Sequence, residues 1–305
     1  MDKHQKIRLL GFPIDLGADR RGVDMGPSAL RIADIDKKLE SLGFTVVDEG
    51  DIPIRNIEVQ DAADQRLKYL PEVVEMSGVL AGRLRSILTD GDFPLILGGD
   101  HSMSVGSLAG IGSWCRERGK TLGVLWIDAH ADMNTAETTP SGNIHGMPLA
   151  VAMGYGHPDL TSICGTEPKL DPRNLAIIGL RSIDPGERTL IKDLGVAAYT
   201  MFDIDRLGMY EIASRVLDDM SRSVDHLHIS FDVDGVDPSF APGVGTPVPG
   251  GLTFRETHML MEMIAQLDVV GSFEVAEVNP ILDDRNRTAE FAADVVASVM
   301  GKRIL

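Results

Sequence analysis

Three short apolar runs in this chain end abruptly in clusters of Asp and His. Leu95-Ile96-Leu97 leads into Gly98-Gly99-Asp100-His101, Val124-Leu125-Trp126-Ile127 into Asp128-Ala129-His130-Ala131-Asp132, and Ile229-Ser230-Phe231 into Asp232-Val233-Asp234. Runs this apolar read as strands covered on both faces, as in a parallel sheet. Such runs alternate with helical patterns from one end of the chain to the other, the signature of βαβ construction. Strands are expected at Ile7 to Leu10, Phe44 to Val47, Pro94 to Leu97, Leu122 to Ile127, Leu175 to Ile178, Ala197 to Thr200, Leu227 to Phe231 and Val269 to Val275, about eight in all. Ile32, Ile35, Leu39 and Leu42 share one helical face, between Pro27 as a start signal and Gly43 as a stop. Val73, Met76, Leu80, Leu84 and Ile87 share another. No linker, low-complexity tract or fixed-period repeat interrupts the alternation, so residues 1–305 read as one α/β domain.

Charge narrows the choice of ligand. The chain has 29 Lys and Arg against 46 Asp and Glu, a formal net charge of −17. That balance repels phosphate backbones and anionic membrane surfaces and attracts small cations, so neither nucleic acid nor membrane is an expected partner. Two cysteines, Cys115 and Cys164, cannot make a disulfide framework and suit a reducing compartment. No signal-peptide pattern and no apolar window of membrane-spanning length is present, so a cytoplasmic location is expected.

In open parallel sheets the ligand site lies beyond the carboxyl ends of the strands, where the three polar clusters fall. Asp128, His130 and Asp132 are spaced i, i+2, i+4, so a short extended continuation of the strand would point all three to one side. Asp232 and Asp234 repeat the device, and His101 follows two glycines that permit a tight turn. An isolated Asp-x-Asp is an ordinary turn or cap. Three such clusters, each directly after an apolar strand, are not. Together they offer four carboxylates and two imidazoles without a thiolate, a set suited to Mn²⁺ or a similar divalent ion. Six ligands exceed what one catalytic ion with an open position needs, so two ions sharing carboxylates are expected. His145, in the polar loop Ser141-Gly142-Asn143-Ile144-His145-Gly146, is a candidate proton carrier. Glu277, at the end of the last strand, is a candidate partner for a cation. His4, His157, His226, His228 and His258 have no comparable context and read as surface or helix-face residues; Met76, Met103 and Met259 read as core fillers on helices.

With these residues assembled, the chain resembles the ureohydrolase family, and within it the short bacterial arginases. The resemblance rests on Gly98-Gly-Asp-His-Ser102, Asp128-Ala-His-Ala-Asp132 and Ser230-Phe-Asp-Val-Asp-Gly-Val-Asp-Pro238. It extends to Gly11-Phe-Pro-Ile-Asp-Leu-Gly17, Arg21-Gly-Val-Asp-Met-Gly-Pro-Ser28, Gly243-Val-Gly-Thr-Pro-Val-Pro-Gly-Gly251 and Glu277-Val-Asn-Pro280. It implies a three-layer α/β/α fold with a parallel sheet of about eight strands and two Mn²⁺ per subunit. One ion would be held by His101, Asp128, Asp132 and Asp232, the other by His130, Asp128, Asp232 and Asp234. The implied reaction of arginine metabolism and the urea cycle is hydrolysis of L-arginine to L-ornithine and urea by a metal-bridging hydroxide. Glu277 would aim the guanidinium, His145 would shuttle a proton, and Thr246 would contact the guanidine group.

The metal residues do not separate arginases from agmatinases and other ureohydrolases. The resemblance assigns Asn134, Ser141 and Asn143 to an α-carboxylate and Asp184 and Glu187 to an α-amino group, which favours L-arginine. Agmatinase is the nearest alternative, and a non-catalytic metal-binding relative is the alternative from another class. Ala131, Ala136 and Glu137 depart from the commonest arginase residues, and the long C-terminal tail of animal arginases is missing after Arg303-Ile304-Leu305. A homotrimer or homohexamer is the implied assembly.

Overall fold

The computed structural model describes residues 5–54 and 64–303; His4, Ile304 and Leu305 lie outside them. Eight strands form one sheet: β1 (Ile7–Phe12), β2 (Val46–Asp51), β3 (Phe93–Gly98), β4 (Leu122–Ile127), β5 (Leu175–Leu180), β6 (Ala197–Thr200), β7 (His226–Asp232) and β8 (Val270–Ala276). Every pairing is parallel, and the spatial order is β2-β1-β3-β8-β7-β4-β5-β6. The strands that lead into the three Asp/His clusters, with β8 set between two of them, are therefore four neighbours at the centre of the sheet. Their carboxyl ends open at one place, although the chain visits them far apart in sequence.

Strand alternation divides the apolar residues between two cores. Leu125, Ile127, Leu227, Ile229, Phe231 and Phe273 face one side, covered by α1 (Gly26–Ile32), α2 (Ile35–Ser41), α8 (Met201–Leu207), α9 (Met209–Ser223), α10 (Phe254–Ile264) and α11 (Arg287–Val299). Val124, Trp126, Leu175 and Ile177 face the other, under α3 (Leu70–Thr89), α4 (Met103–Glu117) and α5 (Pro148–Ala152). Two further helices, α6 (Pro158–Thr161) and α7 (Pro185–Leu194), lie in the connections around β5. The result is the expected three-layer α/β/α sandwich.

Two expectations from the sequence are corrected. The edge strand β2 begins at Val46, not Phe44, and runs on through Asp48, Glu49 and Asp51. Its carboxylates are paired by Arg31 and Arg8, which lets a polar, half-exposed segment serve as an edge. The single helix expected between Pro27 and Gly43 is two, broken where Asp34 takes a left-handed φ of 57°, and Ile32 is exposed. The other helical face stands as read: Val73, Met76, Leu80, Leu84 and Ile87 are all buried on α3.

The loop after β3 is fitted tightly. A Cβ at Gly99 would sit 1.8 Å from the backbone oxygen of Ile14, so no side chain fits without moving two backbone segments. Gly99→Ala is expected to lower the urea-unfolding midpoint, by at least the ~1–3 kcal/mol typical of overpacking, and to displace His101. An unchanged midpoint would show that the loop yields cheaply.

Candidate metal centre

His101 sits at the entrance to α4. The preceding Asp100 carboxylate pins the turn by accepting from the backbone N–H of Gly17 (2.7 Å) and of Ser102 (2.9 Å). The imidazole is 1% exposed. Its Nδ1 lies 2.9 Å from Asp232 Oδ2 and 3.2 Å from both Asp128 Oδ2 and Asp132 Oδ2, yet makes no properly directed hydrogen bond. A buried nitrogen aimed between three carboxylates, without a partner of its own, is the geometry of a cation ligand. His130 Nδ1 faces a second such group, 3.4 Å from Asp128 Oδ1 and 3.1 Å from Asp234 Oδ2. Each group can offer one cation its ligand atoms: His101, Asp128 and Asp232 in the first, Asp128, His130 and Asp234 in the second. Asp128 belongs to both, Asp232 belongs to the first, and Asp132 stands beside it.

The spacing 128, 130, 132 does not work as expected. The strand ends at Ile127, and Asp132 returns toward the site through a left-handed φ of 49°. A backbone reversal, not a pleat, brings the third carboxylate in.

Surrounding donors hold the carboxylates in place. Trp126 Nε1 donates to Asp128 Oδ2 at 2.9 Å, and its ring stacks on His101 with centroids 4.0 Å apart. The Asp234 N–H donates to Asp232 Oδ1 at 2.7 Å, and Thr246 Oγ1 donates to Asp234 Oδ2 at 2.7 Å. Arg181 spreads its guanidinium over the carbonyl oxygens of Gly179, Asp234, Gly235 and Val248, tying the Asp234 turn to the loop that carries Thr246. Neither Trp126 nor Arg181 stood out in the sequence. Trp126 reads as strand core, and an Arg that donates only to carbonyls has no charged partner to betray it.

Electrostatics supports the same reading. Burial raises Asp132 and the neighbouring Asp128 charge adds to it, bringing the carboxyl up to about 6. Burial and the charges of Asp234 and Asp128 push Asp232 well above the carboxylate range. Asp128 goes the other way, because the two imidazoles outweigh its desolvation. His130 rises to about 12 despite burial, through Asp234 and Asp128. Carboxylates crowded this closely cannot all ionise unless positive charge stands among them, which two divalent ions would supply.

A cavity opens above the cluster, lined by His130, Asn134, Ser141, Asn143, Asp184 and Thr246, with Glu277 on the adjoining wall. Glu277 takes a left-handed φ of 66°, which turns its side chain inward. Its Oε1 accepts from the His101 N–H (3.0 Å) and lies 3.1 Å from His145 Nδ1, while its buried Oε2 has no partner. Burial lowers His145, but Glu277, Asp100 and Asp132 more than reverse this and bring it up to about 9. Asn134 donates from Nδ2 to Asp184 Oδ2 at 2.8 Å, and Ser141 Oγ accepts from the Asn143 N–H at 3.2 Å. Asn143 Oδ1 accepts from Lys68 Nζ, which is also paired with Asp19 at the rim. Glu187 is buried, and both its oxygens are engaged by the N–H groups of Met133 (3.0 Å) and Asp184 (2.9 Å). It acts as a brace between α7 and the Asp132 loop.

The model of the Arginase family matches residues 5–301. The chain belongs to the arginase family. Arginase from Bacillus subtilis is 49% identical over 305 residues, covering 100% of both chains. Arginase from Bacillus caldovelox is 49% identical over 300 residues, covering 98% of this chain and 99% of that one. The solved structure of the Bacillus caldovelox arginase superposes with a TM-score of 0.94 at 48% identity, covering 99% of this chain and 100% of that one.

For this member of the arginase family, the shared position of Asp128 makes a sharp expectation. Asp128→Ala should abolish tight binding of both ions, whereas His101→Ala should release one; metal content after gel filtration reads the difference. Two ions retained in Asp128→Ala would remove the shared-ligand assignment.

Proposed function

We propose that this protein is an arginase, hydrolysing the guanidinium group of L-arginine to L-ornithine and urea with two Mn²⁺ ions. The observation that carries the reading is the unpartnered, buried Oε2 of Glu277, placed on the cavity wall beside His145 and above the carboxylate cluster. A planar cation that fills the cavity gives that oxygen its missing donor. His101, Asp128, Asp132 and Asp232 would hold one ion, and His130, Asp128, Asp232 and Asp234 the other. When bound, the two cations supply acidified water at neutral pH and positive charge for the developing tetrahedral centre.

The chain's own groups do the rest. Glu277 orients the guanidinium so that its carbon faces the cluster, with Thr246 at its edge. His145, held protonated by Glu277, carries a proton between solvent and the leaving amine at its ring nitrogens. Asn134, Ser141 and Asn143 receive the α-carboxylate, and Asp184 and Glu187 receive the α-amino group. The −17 net charge draws the cationic substrate in. We further read residues 1–305 as one domain, residing in the cytoplasm as a homotrimer or homohexamer. Support for assembly comes from Phe202 and Tyr210, which are 70% and 64% exposed, and for a reducing compartment from two free cysteines. No helix among the described residues is long and apolar enough to cross a membrane.

The test is urea release from Mn²⁺-loaded protein with L-arginine and with agmatine, beside a chelated control. Agmatine lacks the α-carboxylate, so two or three hydrogen bonds at ~1–3 kcal/mol each are forgone and kcat/KM should fall by about 10³-fold or more. Agmatine used as well as L-arginine would overturn the substrate assignment, and full activity after demetallation would overturn the metal.

His145→Asn should lower kcat by roughly 10²-fold with the ions still bound. An unperturbed pH–rate profile in that variant would take His145 out of the reaction.

A further inference from the structure

Behind the metal cluster, on the α4 side of the sheet, a file of polar side chains runs through the core. β7 presents His226, His228 and Ser230, and the adjacent β8 presents Ser272 and Glu274, with His228 opposite Ser272 and Ser230 opposite Glu274 in register. All five are buried, Glu274 completely. His226 and His228 are thus core residues on a strand, not the surface or helix-face residues expected from the sequence. Ser272 Oγ lies 2.9 Å from His226 Nε2 and 2.9 Å from His228 Nδ1, while His228 Nε2 lies 3.2 Å from Glu274 Oε1. At the other end Ser230 Oγ contacts both Glu274 Oε1 and His101 Nε2, at 2.8 Å each.

We propose that Glu274 is the positioning residue of the His101 ligand, acting through Ser230 to fix which ring nitrogen of His101 is free for the metal. The inference rests on the metal-centre reading above. An ionised carboxylate can only accept, so the single hydroxyl proton of Ser230 goes to Glu274 Oε1. Ser230 must then accept from His101, which places the ring proton on Nε2 and leaves the Nδ1 lone pair facing Asp128, Asp132 and Asp232. Ser104 of α4 donates to the same Glu274 oxygen at 2.5 Å, which keeps it an acceptor from a second side. Desolvation works against the charge, but His228 beside the carboxylate and the Ser104 hydroxyl hold the Glu274 carboxyl below its usual range. A buried carboxylate is poor value as packing, since an apolar residue of similar volume serves a core at least as well. Orienting a metal ligand is work that an apolar residue cannot do.

Glu274→Gln, Ser230→Ala and the double variant, made in the full chain, are to be demetallated and titrated with Mn²⁺, resolving the two binding steps. Glu274→Gln and Ser230→Ala should each weaken one step by roughly 10- to 100-fold and leave the other within about threefold. The double variant should be no weaker than the weaker single, because the two side chains act in series. A purely structural role would lower the unfolding midpoint of the metal-free protein and spare the affinities or weaken both steps alike. Either pattern, or strictly additive losses, would overturn the proposal. If Glu274→Gln does not fold, Ser230→Ala decides, since it cuts the relay while leaving Glu274 with Ser104 and His228: unchanged affinities there overturn it. An unmodified chain that takes up no Mn²⁺ would overturn the metal-centre reading and this inference together.

Discussion

Mutual repulsion among Asp128, Asp132, Asp232 and Asp234 is the constraint on which the rest depends. Four carboxylates within reach of two imidazoles, nearly out of contact with water, form an unfavourable arrangement in an empty chain. The scaffold holds it together by distributing donors: Trp126 to Asp128, the turn N–H groups to Asp232 and Asp234, Thr246 to Asp234. The carboxylates are therefore arranged in advance for positive charge. The two non-glycine residues with left-handed backbone at the site, Asp132 and Glu277, fit the same pattern, since each aims a carboxylate that relaxed geometry would send elsewhere.

The same constraint separates binding the metals from binding the substrate. Groups that face the cluster are saturated by the protein or directed at the cations. Groups that face the cavity keep capacity in reserve, and the free oxygen of Glu277 is the clearest case. Glu187 joins the two duties. Like Asp184 it lines the cavity, yet it also engages both oxygens with backbone N–H groups and, with burial lifting it to about 7, serves the shape of the pocket.

Much of this was legible in the sequence because the chemistry sits at strand ends, where an apolar run and a polar cluster make a sharp boundary. Seven of the eight strands fall close to where the apolar runs place them. β2 was misplaced by two residues because its character is set by Arg8 and Arg31, which the local pattern does not reveal. The family resemblance carried the cavity residues, whose own signals were weak. What stayed hidden was every interaction between distant segments with no charge pair to mark it. Trp126 looked like core, and it is core on one face and a donor on its edge. His226 and His228 looked incidental, because the serine and the glutamate they face arrive 44 to 46 residues later on the neighbouring strand.

The order of the strands has a consequence for how the protein comes into being. β8 is the last strand to be synthesised, yet it lies between β3 and β7 at the middle of the sheet. Until residues 270–276 leave the ribosome, β2-β1-β3 and β7-β4-β5-β6 are two half-sheets with no hydrogen-bonded strand between them, and each exposes an apolar edge. His101 waits on one half while His130 and Asp232 wait on the other. Insertion of the final strand closes the seam and delivers Glu277 in the same motion. The group built on His101 therefore cannot assemble before that moment, whereas Asp128, His130 and Asp234 already share one half, and the vulnerable interval of biosynthesis is the time the two halves spend unjoined.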